Sequence, residues 1–256
     1  MFHYSLVIFL FSNFFCKLFA QDIDTVKGEY FIQKHRLPYT LLKIGCDSNT
    51  SRKIPVVLFL HGAGERGDKN TEHLTVGLPV LIKSIIETKR YPCLVIAPQC
   101  PINQKWVDTD WTKKGHLMGL TMTWPLHGAV QALDSIAKNN LSIDTNRIYL
   151  TGISMGGFGT WELLERFPKK FAAALPVCGG GDTSKALSMI YTPIWAFHGR
   201  KDKLVPVSRT LDMIKAINNK IAKCTIIEKE GHLCWNTTYN NSAHTKWMFS
   251  QVLYAK

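Results

Sequence analysis

Short apolar runs alternate with helix-like segments along almost the whole chain, and this alternation constrains the fold more than any other feature. The runs have the length of β-strands, and several contain no polar residue, which is typical of strands buried on both faces of a parallel sheet. They fall at 54–60, 93–97, 147–151, 171–177, 193–197 and 224–227.

Helical periodicity separates most of these runs, at 78–88, 126–138, 156–166, 207–218 and 242–254. Repeated alternation of strand and helix predicts an α/β fold with a doubly wound, mostly parallel sheet. Two earlier β-like stretches, 29–34 and 39–44, are separated by Pro38 and predict an N-terminal antiparallel hairpin.

The first twenty residues differ in composition from the rest of the chain. An apolar stretch from Tyr4 to Phe11 is followed by a mixed segment that ends at Ala20, before a polar sequence. This pattern predicts a signal peptide at 1–20 and one globular domain at 21–256. The apolar stretch is too short to span a bilayer, so we expect no stable membrane insertion after cleavage, and a secreted or periplasmic protein.

Charge and cysteine spacing narrow the classes of partner and cofactor. The net charge is +12, from 31 Lys and Arg against 19 Asp and Glu, but the basic residues are scattered. We therefore expect a solvated basic surface and no nucleic-acid partner.

Six cysteines follow Ala20 without a C-x-x-C pair, so we predict no metal site, and no cofactor. Their pairing and the oligomeric state stay open, although Cys93 and Cys100 flank one strand and would lie too far apart to pair.

A G-x-S-x-G motif joins the 147–151 run to the 156–166 helix: Gly152, Ser154 and Gly156 with Ile153 and Met155 between them. A serine at a sharp strand-to-helix turn presents its hydroxyl above the sheet, and the two glycines remove side chains that would collide there. The sequence therefore predicts Ser154 as a nucleophile.

The base and the acid should follow the nucleophile along the chain, in loops after later strands. His232 follows the 224–227 run and is the predicted base, whereas His198 ends a strand and His244 lies in a helix pattern. Asp202 follows the 193–197 run and is the predicted acid. Asp182 also follows a strand and is the alternative, while Asp212 lies on a helix.

The oxyanion hole is predicted from two backbone amides. The N–H of Met155 follows the nucleophile, and the N–H of Ala63 lies in the glycine-rich loop after the 54–60 run. Glu65 and Arg66 are expected to pair and fix that loop, and His61 is expected to be structural.

Several motifs together resemble the phospholipase/carboxylesterase and dienelactone-hydrolase-like branch of the α/β-hydrolases, which includes feruloyl-esterase-like proteins and predicted peptidases. They are LFLHGAGERG at 58–67, APQCP at 97–101, RIYLTGISMGGFGTWELLERFP at 147–168, PVCGGGD at 176–182, HGRKDKLVPV at 198–207 and EGHLCW at 230–235. The resemblance covers most of the chain after residue 20 and implies the same triad, Ser154, Asp202 and His232. It also implies feruloyl and acetylxylan esters as one class of substrate.

The substrate region offers fewer signals. Only about sixteen residues separate the fifth run from the fourth, so we expect no large lid. We predict that Trp235, close to the base, and Trp106, in the long 101–125 segment, contact substrate. For Trp106 and the other aromatic residues of that segment the alternative is that they only pack the loop against the domain. The sequence thus predicts a serine carboxylesterase. A prolyl-oligopeptidase-like serine peptidase is the alternative, and a non-catalytic binding module is disfavoured by the complete triad.

Overall fold

The structure is a computed structural model that describes residues 23–46, 53–90, 92–140 and 142–253. The predicted signal peptide at 1–20 lies outside the described residues. Eight strands of the described part form one sheet: β1 Ile23–Ile32, β2 His35–Ile44, β3 Ile54–Leu60, β4 Cys93–Pro98, β5 Ile143–Ile153, β6 Ala173–Val177, β7 Ile194–Gly199 and β8 Ala222–Ile227. Their order across the sheet is β1-β2-β4-β3-β5-β6-β7-β8.

Six α-helices accompany the strands of the described part. They are α1 Leu78–Glu87, α2 Trp124–Asn139, α3 Met155–Arg166, α4 Ser208–Ile217, α5 Trp235–Asn240 and α6 Ser242–Ser250. Three 3-10 helices lie at Ala63–Glu65, Glu72–Leu74 and Thr183–Met189. None of the helices in the described ranges has the length and apolar content needed to cross a membrane.

The sheet is antiparallel only at its first edge, where β2 pairs with β1 and β4, and parallel from β4 to β8. The predicted fold class, a mostly parallel sheet preceded by an antiparallel hairpin, is confirmed. The segment between β6 and β7 carries only the Thr183–Met189 turn of 3-10 helix.

Strand β3 shows why its sequence is apolar without interruption. All seven of its residues are buried. Val56, Leu58 and Leu60 point into a core with α2, α3 and α4, whereas Val57 and Phe59 point into a second core with α1, α5 and α6. Side chains of a strand alternate between the two faces of a sheet, so a strand covered on both sides needs apolar residues at every position.

The hairpin turns at a different place from the one predicted. Its strands are longer, the turn falls between Ile32 and His35, and Pro38 pairs with Glu29 inside β2. Pro38 lies just before the segment that pairs with β4, and its carbonyl accepts from the Gln99 N–H at 2.8 Å. A proline is tolerated there because the pairing of β2 with β4 begins at Tyr39, so the missing N–H of Pro38 removes no hydrogen bond to β4.

The predicted helix at 242–254 is shorter, and an unpredicted helix, α5, precedes it. Asn241 separates the two helices, and its side chain accepts from the Ala243 N–H at 3.0 Å, which caps α6. α5 begins three residues after His232, and its first residue, Trp235, lies at the site described below.

Candidate active site

Ser154 occupies a strained turn between β5 and α3. Its backbone has φ +53° and ψ −116°, a conformation that residues other than glycine rarely adopt. Its N–H donates to the carbonyl of Val177 at 3.0 Å, which holds the turn against the end of β6. A Cβ on Gly156 would overlap the carbonyl oxygen of Leu60, so the turn can pack against β3 only with glycine at this position.

His232 lies in the loop after β8 and faces Ser154. Its Nε2 is 2.8 Å from Ser154 Oγ, and its Nδ1 is 2.7 Å from Asp202 Oδ2. The His232 side chain is 14% exposed, whereas the Asp202 carboxylate is fully buried. The hydroxyl, the imidazole and the carboxylate therefore form one continuous hydrogen-bonded relay that solvent reaches only from the serine and histidine end.

Asp202 is held by four donors. Its Oδ1 accepts from the backbone N–H groups of Leu204 and Val205, each at 2.9 Å. Its Oδ2 accepts from His232 and also from His198 Nε2 at 3.1 Å. Burial alone would raise the pKa of Asp202, but the hydrogen bonds from His198, His232 and Val205 outweigh it and hold the pKa well below the usual range. Asp202 is consequently an anion at neutral pH.

His198 is a site residue that the sequence reasoning missed. It was expected only to end its strand, yet it contacts the Asp202 carboxylate, and its Nδ1 lies 2.8 Å from Thr210 Oγ1. The sequence signal that could have identified His198 was its position at the end of a buried strand, four residues before Asp202. The alternative acid, Asp182, lies elsewhere, where it binds the N–H groups of Met118 and Ser184.

The loop after β3 is fixed by side chains on both sides of Ala63. His61 is fully buried, and burial lowers its pKa to about 3, so the ring is neutral. Its Nε2 accepts from the Cys100 N–H at 2.9 Å, which leaves the proton on Nδ1 for the carbonyl oxygen of Gly62 at 2.6 Å. Arg66 Nε donates to the Ala63 carbonyl at 2.7 Å.

The prediction that Glu65 and Arg66 form an ion pair is wrong. Arg66 instead bridges the loop to the 101–125 segment, because it also donates to the carbonyl of Gln104 at 3.4 Å. Glu65 turns back toward the backbone N–H of Gly62, at the start of the 3-10 turn, and burial raises the pKa of its carboxyl.

A cavity of about 220 Å³ opens over Ser154 and His232. It is lined further by Gly62, Ala63, Gly64, Glu65, Trp111, Ile153, Leu204, Val205 and Trp235. Apart from Glu65 and the two relay residues its walls are apolar or backbone. The space suits a small acyl group beside the reacting atoms rather than a large buried ligand.

Of the two tryptophans predicted to contact substrate, only Trp235 lines this cavity. The prediction for Trp106 is wrong, because that side chain is fully buried and its Nε1 donates to the carbonyl of His61 at 3.0 Å. It supports the β3 loop from beneath. Trp111, five residues later in the same segment, lines the cavity in its place.

Two other features of the described residues, a surface depression and a group of possible metal ligands, do not add to this site. A larger depression of about 410 Å³ lies at the amino ends of β3 and β5, far along the strands from Ser154, and none of the predicted site residues lines it.

Ligand atoms of Cys178, Asp202 and His232 lie within 4.8 Å of one another, a spacing compatible with a metal ion. However, burial raises the pKa of the Cys178 thiol, and both Asp202 oxygens already accept hydrogen bonds, so this set is a poor metal-binding group.

A mostly parallel sheet with a serine at a tight turn after a central strand, and a histidine and an aspartate in loops after later strands, defines the α/β-hydrolase class. Comparison with known proteins agrees. Residues 106–189 match the model of the prolyl oligopeptidase family. A solved structure of a thermostable esterase is 34% identical, with a TM-score of 0.79 over 92% of this chain and 64% of its own.

Two curated proteins are similar over parts of the chain. A bifunctional acetylxylan esterase/xylanase of Neocallimastix patriciarum is 29% identical over 99 residues, which are 36% of this chain and 15% of that protein. An uncharacterized secreted protein of Arthroderma benhamiae is 27% identical over 138 residues, 52% of this chain and 13% of its own length. The chain thus spans less than two thirds of each relative. It has the α/β-hydrolase fold, and its predicted resemblance to the esterase-like group is confirmed.

Proposed function

We propose that the protein is a serine hydrolase that cleaves carboxylic esters through an acyl-enzyme intermediate. The observation that carries this proposal is the relay from Ser154 Oγ to His232 Nε2 at 2.8 Å and from His232 Nδ1 to Asp202 at 2.7 Å. A serine hydroxyl is a weak nucleophile by itself, and an adjacent, oriented imidazole activates it.

In this mechanism Ser154 attacks the ester carbonyl while His232 takes its proton. Asp202 remains ionised, holds the imidazole in the required tautomer and stabilises the imidazolium. The amides of Ala63 and Met155 donate to the oxyanion that develops on the carbonyl oxygen. His232 then protonates the leaving alcohol, and water attacks the acyl enzyme by the same route in reverse.

Acetyl or feruloyl groups on plant polysaccharides are the proposed substrates. The relative from Neocallimastix patriciarum is an acetylxylan esterase/xylanase, and the cavity above Ser154 is small and bordered by exposed surface. A site of this form accepts a small acyl group while the bulky alcohol stays outside. The predicted signal peptide at 1–20 and a secreted relative support export of the protein.

A serine peptidase is the second candidate, and the match of residues 106–189 to the prolyl oligopeptidase family favours it. The same serine, base and oxyanion donors cleave amides, so the relay itself does not separate the two activities. The two activities differ in the leaving group, since the amine released from an amide must be protonated before it departs.

The test combines active-site labelling with a substrate panel. A fluorophosphonate probe should label the wild-type protein but not Ser154→Ala, whereas Ser250→Ala, at an exposed position, should be labelled normally. Rates on p-nitrophenyl acetate, acetylated xylan, methyl ferulate and a peptide amide then rank ester against amide. Equal turnover of acetate ester by Ser154→Ala and wild type would contradict the proposal, and faster peptide cleavage would favour the peptidase.

A further inference from the structure

Two cysteines lie directly beneath the relay. Cys178 follows the last residue of β6, and Cys234 is two residues after His232, immediately before α5. Both side chains are fully buried, in the core that α1, α5 and α6 form with the sheet. The two residues are far apart in sequence, and the fold brings both into one core next to the relay.

The two thiols are direct neighbours. Burial and the neighbouring Cys234 thiol raise the pKa of Cys178, and Cys178 Sγ lies within 4.8 Å of ligand atoms of both Asp202 and His232. The Tyr239 hydroxyl, which contacts Thr151 Oγ1 at 2.7 Å, belongs to the same buried core as both cysteines. Neighbouring cysteine side chains in one buried core can reach disulfide bonding distance through small changes of their side-chain angles.

The two residues belong to different elements of the fold. The Cys178 N–H donates to the carbonyl of Phe197 at 2.8 Å, which fixes this residue to the sheet between β6 and β7. Cys234 ends the loop that carries His232, and its neighbour Leu233 is exposed. A bond between the sulfurs would therefore tie the histidine loop to the rigid part of the sheet.

We propose that Cys178 and Cys234 form a disulfide in the exported protein, and that this bond holds the His232 loop in register with Ser154. The proposal rests on the proposed function in two respects, export to an oxidising compartment and the role of His232. Disulfides form and persist in such compartments and are rare in reducing ones.

The bond would form during folding, by exchange with a low-molecular-weight disulfide such as oxidised glutathione. One cysteine thiolate attacks the small disulfide, which gives a mixed disulfide and releases one glutathione thiol. The second cysteine displaces the second glutathione, so two protein thiols and one glutathione disulfide become one protein disulfide and two glutathione thiols. Once folded, the protein shields both sulfurs, and burial raises the pKa of any Cys178 thiol that remains reduced, which makes it a poor nucleophile.

The test is a peptide map of the full chain, folded in a glutathione redox buffer, unfolded in the presence of an alkylating reagent and digested without reductant. We expect one cross-linked peptide containing Cys178 and Cys234, about 2 Da lighter than the sum of its reduced parts and separated by reductant. Complete alkylation of both residues, or linkage of either one to another cysteine, would overturn the proposal.

A second measurement asks whether the bond stabilises the site. The double variant Cys178→Ser/Cys234→Ser should melt about 5–15 °C below wild type, and reductant should lower the wild-type Tm but leave that of the double variant unchanged. Cys224→Ser, a half-buried position on β8, is the matched control and should retain the response to reductant. A wild-type Tm that does not respond to reductant would count against the proposal.

The peptide map does not depend on catalysis, so the disulfide proposal and the proposed esterase function can fail separately. A linked peptide in a protein that hydrolyses no ester would leave the disulfide intact and remove the proposed function. An active esterase with two alkylated thiols would do the opposite.

Discussion

His61 donates a hydrogen bond from Nδ1 to the carbonyl oxygen of Gly62 at 2.6 Å, and that carbonyl belongs to the same peptide group as the N–H of Ala63. The ring therefore orients the amide that we propose as an oxyanion donor, from its opposite end. A hydrogen bond to a peptide carbonyl also polarises the N–H on the other side of the peptide. The buried, neutral imidazole keeps this arrangement at any pH well above about 3.

The two ring nitrogens of His61 can be tested separately. Asparagine places an amide N–H near the position of Nδ1, whereas glutamine reaches toward the position of Nε2 and the Cys100 N–H. We expect His61→Gln to lower kcat about tenfold or more, and His61→Asn to lower it less, because misaligning an oxyanion donor weakens transition-state stabilisation. Steady-state kinetics on p-nitrophenyl acetate measure this difference, with the Tm of both variants as the control. Equal kcat values would contradict the orienting role.

Asp202→Asn should reduce kcat by about 10²–10⁴-fold, because the amide favours the wrong tautomer of His232 and does not stabilise the imidazolium. KM should change little, since Asp202 is fully buried and does not touch substrate. Asp212→Asn, an exposed acid on α4, is the matched control. If both variants kept wild-type turnover, Asp202 would not be the acid of the relay.

Glu165→Gln should change how stability depends on pH. Burial raises the pKa of Glu165 from 4.5 to about 8, although the Asp182 N–H donates to its Oε1 at 2.7 Å. Because the folded pKa is raised, the stabilisation by this group is fully present below about pH 4.5 and is lost as the pH rises to about 8. The free energy of unfolding of wild type relative to the glutamine variant should therefore fall across this window, by at most about 1.4 kcal/mol per pH unit. Urea titrations at several pH values test it, and a constant difference would contradict it.

Trp111→Ala should impair the use of bulky substrates more than that of small ones. Trp111 lines the cavity, and Lys105 Nζ lies over its ring, 5.0 Å from the centroid. Replacing Trp111 by alanine widens the cavity on this side and removes an aromatic surface. We expect kcat/KM for methyl ferulate to fall about five- to tenfold, and that for p-nitrophenyl acetate to change less, because an aromatic contact contributes about 0.5–1.5 kcal/mol. Leu117→Ala, an exposed position in the same segment, is the control. A uniform loss on both esters would exclude a contact specific to the ferulate ring.

Two glycines near the relay should differ in how far substitution by alanine destabilises the protein. A Cβ on Gly156 would overlap Leu60, a backbone contact that cannot yield, so Gly156→Ala should lower the free energy of unfolding by about 3 kcal/mol or prevent folding. A Cβ on Gly64 meets no atom within 4 Å, so Gly64→Ala should be close to neutral. Thermal melts compare them, and similar Tm values would contradict the packing argument.

Most strands and helices could be predicted because their signal is local. The run at 54–60 matches β3 residue for residue, and the serine turn follows from a motif that spans five positions. The errors lie where tertiary contacts override local preference. Pro38 predicts a turn but is tolerated inside β2, and Trp106, predicted to contact substrate, packs under the β3 loop.

By itself, the sequence determined the alternation that builds the parallel sheet, the glycines of the serine turn, and candidate residues in loops after strands. Periodicity and turn chemistry are properties of neighbouring residues, so they can be read without coordinates. Only the tertiary structure decided which candidates meet. His232 is 78 residues from Ser154 and 30 from Asp202, and the meeting of these groups, of His198 with Asp202 and of Cys178 with Cys234, depends on how the strands are ordered across the sheet.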